Sequence, residues 1–369
     1  MEKMTAGIYI HVPFCVRKCA YCDFYSLPGS DGTLYDRYTD AVCREIAASS
    51  SVYADTIYFG GGTPSLLGAA RLTRILDTVR TRFDLADDAE ITLEANPLDV
   101  DDPVRLRAAG FNRVSLGIQS ARDGELMLLG RRHTFAQAVE TVRMLRHAGF
   151  DNLSLDLMYA LPNQTLGDWR ESIAAIVALE PEHISCYALT LSEGVRLYGT
   201  PQPDDNTQLT MFLYADEALA RAGYAHYEIS NFAQPGYESR HNSKYWLGAD
   251  YYGFGPAAHS FIAGTRYARP PELMRYLTEM SRTPITSREV TEEHPDAAEE
   301  YLMLRLRMRA GIDAADFEVR FGRPFEPFAR VLERYIREGL VIRDGRRYAL
   351  TPRGMFVSNA VIAELFADI

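Results

Sequence analysis

The stretch HVPFCVRKCAYCDF, residues 11–24, places Cys15, Cys19 and Cys22 close together near the start of the chain. Thiolates spaced C-x3-C-x2-C in a loop suit a soft metal centre, so zinc and an iron–sulfur cluster are the candidates. A structural zinc ion asks for a fourth ligand, a role open to His11. Three thiolates on a four-iron cluster would instead leave one iron open to a small molecule, as a reactive site requires. Cys43 and Cys186 stand alone in apolar surroundings and read as small core residues, so the five cysteines do not make a disulfide framework.

Such a loop acts only if the fold brings other polar groups to it. Strand-like runs recur at 7–12, 55–60, 90–95, 112–118, 153–159 and 183–189, with segments of helical spacing between them. Strand followed by helix, repeated, predicts an α/β fold whose parallel sheet closes or partly closes into a barrel. Functional groups then belong in the loops after the strand ends. GGGTP, residues 60–64, follows the second run, and Glu94 in LEANP closes the third. Gln119 and Arg131 follow the fourth, and Asp156 lies near the end of the fifth. A glycine triplet alone also fits a tight turn, and a single Gln or Arg fits a structural role. Polar groups after successive strands are harder to dismiss.

Past residue 190 the rhythm changes. A helix is expected near 206–222, then short strands and loops in the aromatic-rich stretch 224–261, extending the sheet or covering its open side. From about 292 the spacing is helical again, and LVIRDGRRYAL carries the hairpin signal Asp344-Gly345. These features predict a small C-terminal winged-helix-like helical domain used for packing or as a lid. The expected division is 1–190, 191–290 and 291–369.

A net charge of −11 disfavours a nucleic-acid binder, which needs a basic surface to displace counterions. No apolar run is long enough to cross a bilayer, and MEKMTAGIYIHV has no signal-peptide layout, so the expected address is cytoplasmic.

YIHVPFCVRKCAYCDF, GGGTPSLL, LEANP, SLGIQS and LDLMYALPNQT together resemble the radical S-adenosylmethionine (SAM) family. The similarity runs through essentially the whole chain, to the branch holding oxygen-independent coproporphyrinogen III oxidases and heme chaperones of the HemW type. It implies a partial (β/α)6 radical SAM barrel with a sheet extension. It also implies a 4Fe-4S cluster on Cys15, Cys19 and Cys22, with SAM on the open iron. Tyr9, Tyr21, Gly61, Gly62, Thr63 and Glu94 are implied to line the SAM site, with Gln119, Arg131 and Asp156 nearby. Glycine carbonyls can accept from the SAM ammonium, carboxylates can hold ribose hydroxyls, and Arg131 can pair with a carboxylate.

Within that branch the oxidases carry a further cysteine where this chain has Phe24, and an extension before the motif for which Tyr9 leaves no room. HNSKYW, residues 241–246, matches the chaperones' H-N-x-x-Y-W. His241 could ligate heme iron while Tyr245 and Trp246 stack on the macrocycle, although a histidine beside aromatics also fits a packed loop anchor. His259 is a second candidate, expected to line the SAM side of the barrel, and His11 and His226 read as structural. The implied function is a heme chaperone that passes heme to client hemoproteins, with contact at a membrane surface through partners and a homodimer both admitted. The alternative is an oxygen-independent coproporphyrinogen III oxidase, working by radical oxidative decarboxylation.

Overall fold

The computed structural model describes residues 5–285, 288–293 and 295–367. Six strands form its centre: β1 (Ala6–Val12), β2 (Tyr53–Gly61), β3 (Asp84–Ala95), β4 (Arg113–Gln119), β5 (Leu153–Tyr159) and β6 (His183–Ala188). They lie parallel and in chain order. Their apolar runs are buried on both faces, and every residue of β4 is buried, as a parallel sheet covered by helices demands. Among the described residues β1 and β6 do not pair, so the barrel is partial.

The crossovers are α1 (Gly32–Ala48), α2 (Gly68–Arg82), α3 (Pro103–Ala109), α4 (Asp123–Leu129), α5 (Phe135–His147) and α6 (Leu166–Val177). Local signals start them. Asp31 caps α1 by accepting from Leu34 N, and Thr134 with Gln137 and Thr165 with Asp168 form capping boxes on α5 and α6.

After α7 (Asp205–Arg221), β7 (Ala225–Glu228) and β8 (Asn231–Ala233) extend the sheet antiparallel beyond β6. At the opposite edge β9 (Tyr251–Phe254) pairs parallel with β1, followed by antiparallel β10 (His259–Ile262), β11 (Thr265–Ala268) and β12 (Glu289–Glu293). The aromatic-rich stretch departs from expectation in one respect: HNSKYW lies on a helix, α8 (Arg240–Leu247), not in a loop. Ser239 caps its start and Gly248, in the left-handed conformation, ends it.

The extension is tied to the barrel by a buried charge. Glu45 on α1 pairs with Arg269 at 2.7 Å and Arg288 at 3.3 Å, and accepts from Tyr276 and Gly255 N. Tyr276 belongs to α9 (Leu273–Met280). The chain closes with α10 (Ala297–Arg305), β13 (Ile312–Asp313), α11 (Ala314–Phe321), α12 (Glu326–Arg337), the hairpin β14 (Val341–Asp344) and β15 (Arg347–Leu350), α13 (Pro352–Phe356) and α14 (Ser358–Ala367). Helices plus a three-stranded sheet make the winged-helix-like unit, packed around Phe317, Phe325, Phe328 and Tyr348. Among the described residues no helix is long and apolar enough to cross a membrane.

Candidate metal and cofactor site

A cavity of about 570 Å³ runs through the barrel, from the cysteine loop after β1 to Asn242 of α8. Cys15, Cys19, Cys22, Tyr21, Gly61, Gly62, Thr63, Glu94, Gln119, Arg131 and Asp156 all line it.

The loop is anchored from below. Gly62 N and Thr63 N donate to Val12 O and Phe14 O, Ala20 N donates to Leu129 O, and Ala20 packs with Leu129, Met158 and Leu161. A Cβ at Gly62 would stand 2.6 Å from Phe14 O, so the close approach of the GGGTP turn to the cysteine loop requires glycine there. Gly61 adopts φ +109, where a side chain would also strike the His11 ring.

Around the thiols, Thr63 Oγ1 lies 3.6 Å from Cys15 Sγ, and Arg131 Nη1 donates to Cys19 Sγ at 3.7 Å. Arg131 Nη2 donates to Gly117 O and to Asn96 Oδ1. Burial pushes the Cys15 and Cys22 thiols up, which favours their neutral form until a metal offers them positive charge.

Midway down, Glu94 accepts from Tyr58 Oη at 2.7 Å and from Gly61 N at 3.1 Å. Asp156 accepts from Ser115 Oγ at 3.2 Å and from Ser154 Oγ at 3.4 Å. Burial pushes Glu94 up to about 7 and Asp156 up to about 6, against the pull of these hydrogen bonds and of nearby Arg113. Gln119 ends β4 at φ 76, beside a shift in register with β5, and its Oε1 accepts from Tyr187 Oη at 2.8 Å. The irregularity turns the Gln119 amide into the lumen.

Five of the sequence-expected residues lie elsewhere. Tyr9 buttresses the wall from behind: its ring stacks on Tyr58 and His241, and its hydroxyl lies 3.0 Å from His11 Nδ1. His241 is 1% exposed. Its Nδ1 lies 2.9 Å from Thr56 Oγ1 and its Nε2 lies 2.9 Å from Tyr245 Oη, so both ring nitrogens are engaged. Burial takes its pKa down to about 3, which keeps the ring neutral. Tyr245 meets Tyr251 edge-on, and the Trp246 ring lies beneath the Arg307 guanidinium. His259 is exposed on β10 and does not line the cavity, contrary to expectation, because β10 lies in the sheet extension beyond β9, outside the six strands that enclose the lumen.

Sequence reasoning passed over Asn96, Tyr58 and Tyr187, which hold Arg131, Glu94 and Gln119 in place. The signal for Tyr58 was its position two before Gly60, on the same strand face as the glycine turn.

Comparison with known proteins bears on the same residues. Residues 9–176 match the radical SAM superfamily, and residues 293–357 match the HemN C-terminal domain. Heme chaperone HemW of Lactococcus lactis subsp. lactis is 34% identical over 100% of this chain and 99% of its own length. Heme chaperone HemW of Escherichia coli is 33% identical, over 98% and 97%. The solved structure of coproporphyrinogen III oxidase (HemN) from Escherichia coli, a radical SAM enzyme, superposes with TM-score 0.87 at 22% identity, covering 100% of this chain and 91% of that one. This last likeness speaks to the fold; the full-length identities speak to kinship. Sharing about a third of its residues with these relatives over nearly the full length of both, the chain belongs to the HemW family of the radical SAM superfamily.

Proposed function

We propose that this chain is a heme chaperone: it carries a 4Fe-4S cluster on Cys15, Cys19 and Cys22, binds SAM in the barrel cavity, and takes up heme for transfer to client hemoproteins. The observation that carries the reading is the full-length identity to proteins named heme chaperone HemW. Membrane-bound clients, met through partner proteins, fall within the same proposal.

The residues present suit the two cofactors. Among the described residues no three His, Cys, Asp or Glu side chains converge closely enough for a single metal ion, while three thiols of one loop edge one cavity. A cluster spreads its irons over a wider frame than one zinc ion and needs no fourth protein ligand if SAM supplies it. When bound, a cluster and SAM together supply one-electron chemistry at the sulfonium. The chain's own part is to bind and orient. Glu94 and Asp156 accept from hydroxyl groups, the Gly61-Gly62 backbone lies close enough for main-chain contacts, and Arg131 and Gln119 close the side by α4. Tyr9 acts here as a positioning residue behind Tyr58.

Heme is assigned to the α8 motif, on His241 with Tyr245 and Trp246. Ligation there requires the imidazole to give up Thr56 or Tyr245, so heme uptake is coupled to movement of α8. Phe24, 66% exposed beside Cys22, stands where the oxidases have their further cysteine.

The test is an anaerobic heme titration of the reconstituted chain and of His241→Ala, followed by visible absorbance. Saturable binding with a Soret band, weakened in the variant, is expected. No specific binding by the wild type, together with protoporphyrinogen formed from coproporphyrinogen III, SAM and a reductant, would replace the chaperone with the oxidase.

A further inference from the structure

The first residue of β4 is Arg113, at the end of the lumen opposite Gln119 and the cysteine loop. It is 1% exposed, among the largest fully buried side chains of the protein. Among the described residues its guanidinium makes no hydrogen bond or ion pair, and its Nε is buried without a partner. Its side chain lines the cavity. Among the described residues the other enclosed cations each have at least one partner, although Arg131 and Arg288 also leave Nε unmet: Arg269 and Arg288 pair with Glu45, Lys244 pairs with Asp55, and Arg131 donates to Asn96 and Gly117 O.

A buried guanidinium presents five donors in a fixed fork, and leaving them unmet costs far more than leaving a neutral group unmet. Glu94 and Asp156 act on Arg113 through space, but neither comes within ion-pair distance, and both are held by Tyr58, Ser115 and Ser154. Asn242, reaching the same floor from α8, adds an amide that makes no side-chain hydrogen bond among the described residues. A fork and an amide facing one space match a planar, two-oxygen acceptor.

We propose that the floor of the barrel is a carboxylate-binding subsite anchored on Arg113, separate from the groups at the cysteine end of the lumen. The carboxylate comes either from a small free organic acid or from a propionate arm of a tetrapyrrole reaching down the cavity; only the second source rests on the heme reading above.

The test uses the full reconstituted chain, with and without SAM, as wild type, Arg113→Met and Arg113→Lys. One arm follows thermal stability and calorimetric binding of acetate against acetamide. The other compares mesoporphyrin IX with its dimethyl ester. The expected result is a response to the acid and not to the amide or ester, weakened about ten- to a hundred-fold in Arg113→Met and less in Arg113→Lys. Acetate active alone identifies a free acid, and the porphyrin pair alone identifies the propionate; either supports the subsite.

The opposing role for Arg113 is a fixed counter-charge to Glu94 and Asp156. It predicts that Arg113→Met loses stability near neutral pH and that acids and neutral isosteres behave alike in the wild type. That pattern overturns the subsite, as does an acid response of equal size in wild type and Arg113→Met. Should Arg113→Met fail to fold, the difference between acid and isostere in wild type and Arg113→Lys decides the matter.

Discussion

The two ends of the barrel use their polar groups in opposite ways. At the cysteine end, the thiols are half-exposed and Arg131 holds backbone and Asn96, so the loop is pre-shaped while Cys15 and Cys19 are met only by long contacts from Thr63 at 3.6 Å and Arg131 at 3.7 Å. At the α8 end, His241 has a partner on each nitrogen, and Lys244 and Arg240 both reach Asp55. Both stretches carry the residue types of a binding site. The difference teaches that readiness lies in unspent capacity: the first end can take a ligand as it stands, and the second must break internal bonds first.

Three measurements would break or sharpen this contrast. The largest effect belongs to the thiols. Replacing Cys15, Cys19 or Cys22 singly with Ala should remove nearly all iron and acid-labile sulfide retained after anaerobic reconstitution, with far-UV circular dichroism unchanged; full retention in all three variants ends the cluster assignment. Next comes His241→Ala, which deletes a buried ring and strands the hydroxyls of Thr56 and Tyr245. It should cost about 2–4 kcal/mol in urea unfolding. A loss below about 0.5 kcal/mol, the level of surface substitutions, would mean that the α8 end is not packed as described.

The smallest effect is a pH slope. Glu94 rises from 4.5 to about 7 on folding and Asp156 from 3.8 to about 6, so the folded state holds these protons more tightly than the unfolded state. Stability should therefore fall as pH rises from about 4 to 7. Glu94→Gln should flatten the upper part of that slope; parallel curves for variant and wild type would place the proton elsewhere.

Much of the cysteine end was legible because each element announced itself locally. Six continuous apolar runs marked the strands, and the polar groups stood at their ends, where parallel topology gathers them. The α8 helix escaped notice because it is only 8 residues long and mostly polar; its signals were the cap Ser239 and the terminator Gly248, which flank it. Arg113 was invisible for a different reason. A charged residue opening a strand looks like one turned to solvent, and only the register that sets it against Thr92 reveals that it is enclosed. Likewise, the spent state of His241 depends on Thr56, far away in sequence, which no motif could supply.

The start of α8 has one further property. The N–H groups of Arg240 and His241, which a helix of this kind leaves without internal partners, both donate at 3.0 Å to the carboxylate of Glu90, itself 6% exposed. First-turn amides ordinarily trade their protons with water quickly, whereas these two exchange only when the helix lifts off the barrel. Deuterium uptake at Arg240 and His241 is thus a clock for opening of the floor, and it can be read with no ligand present.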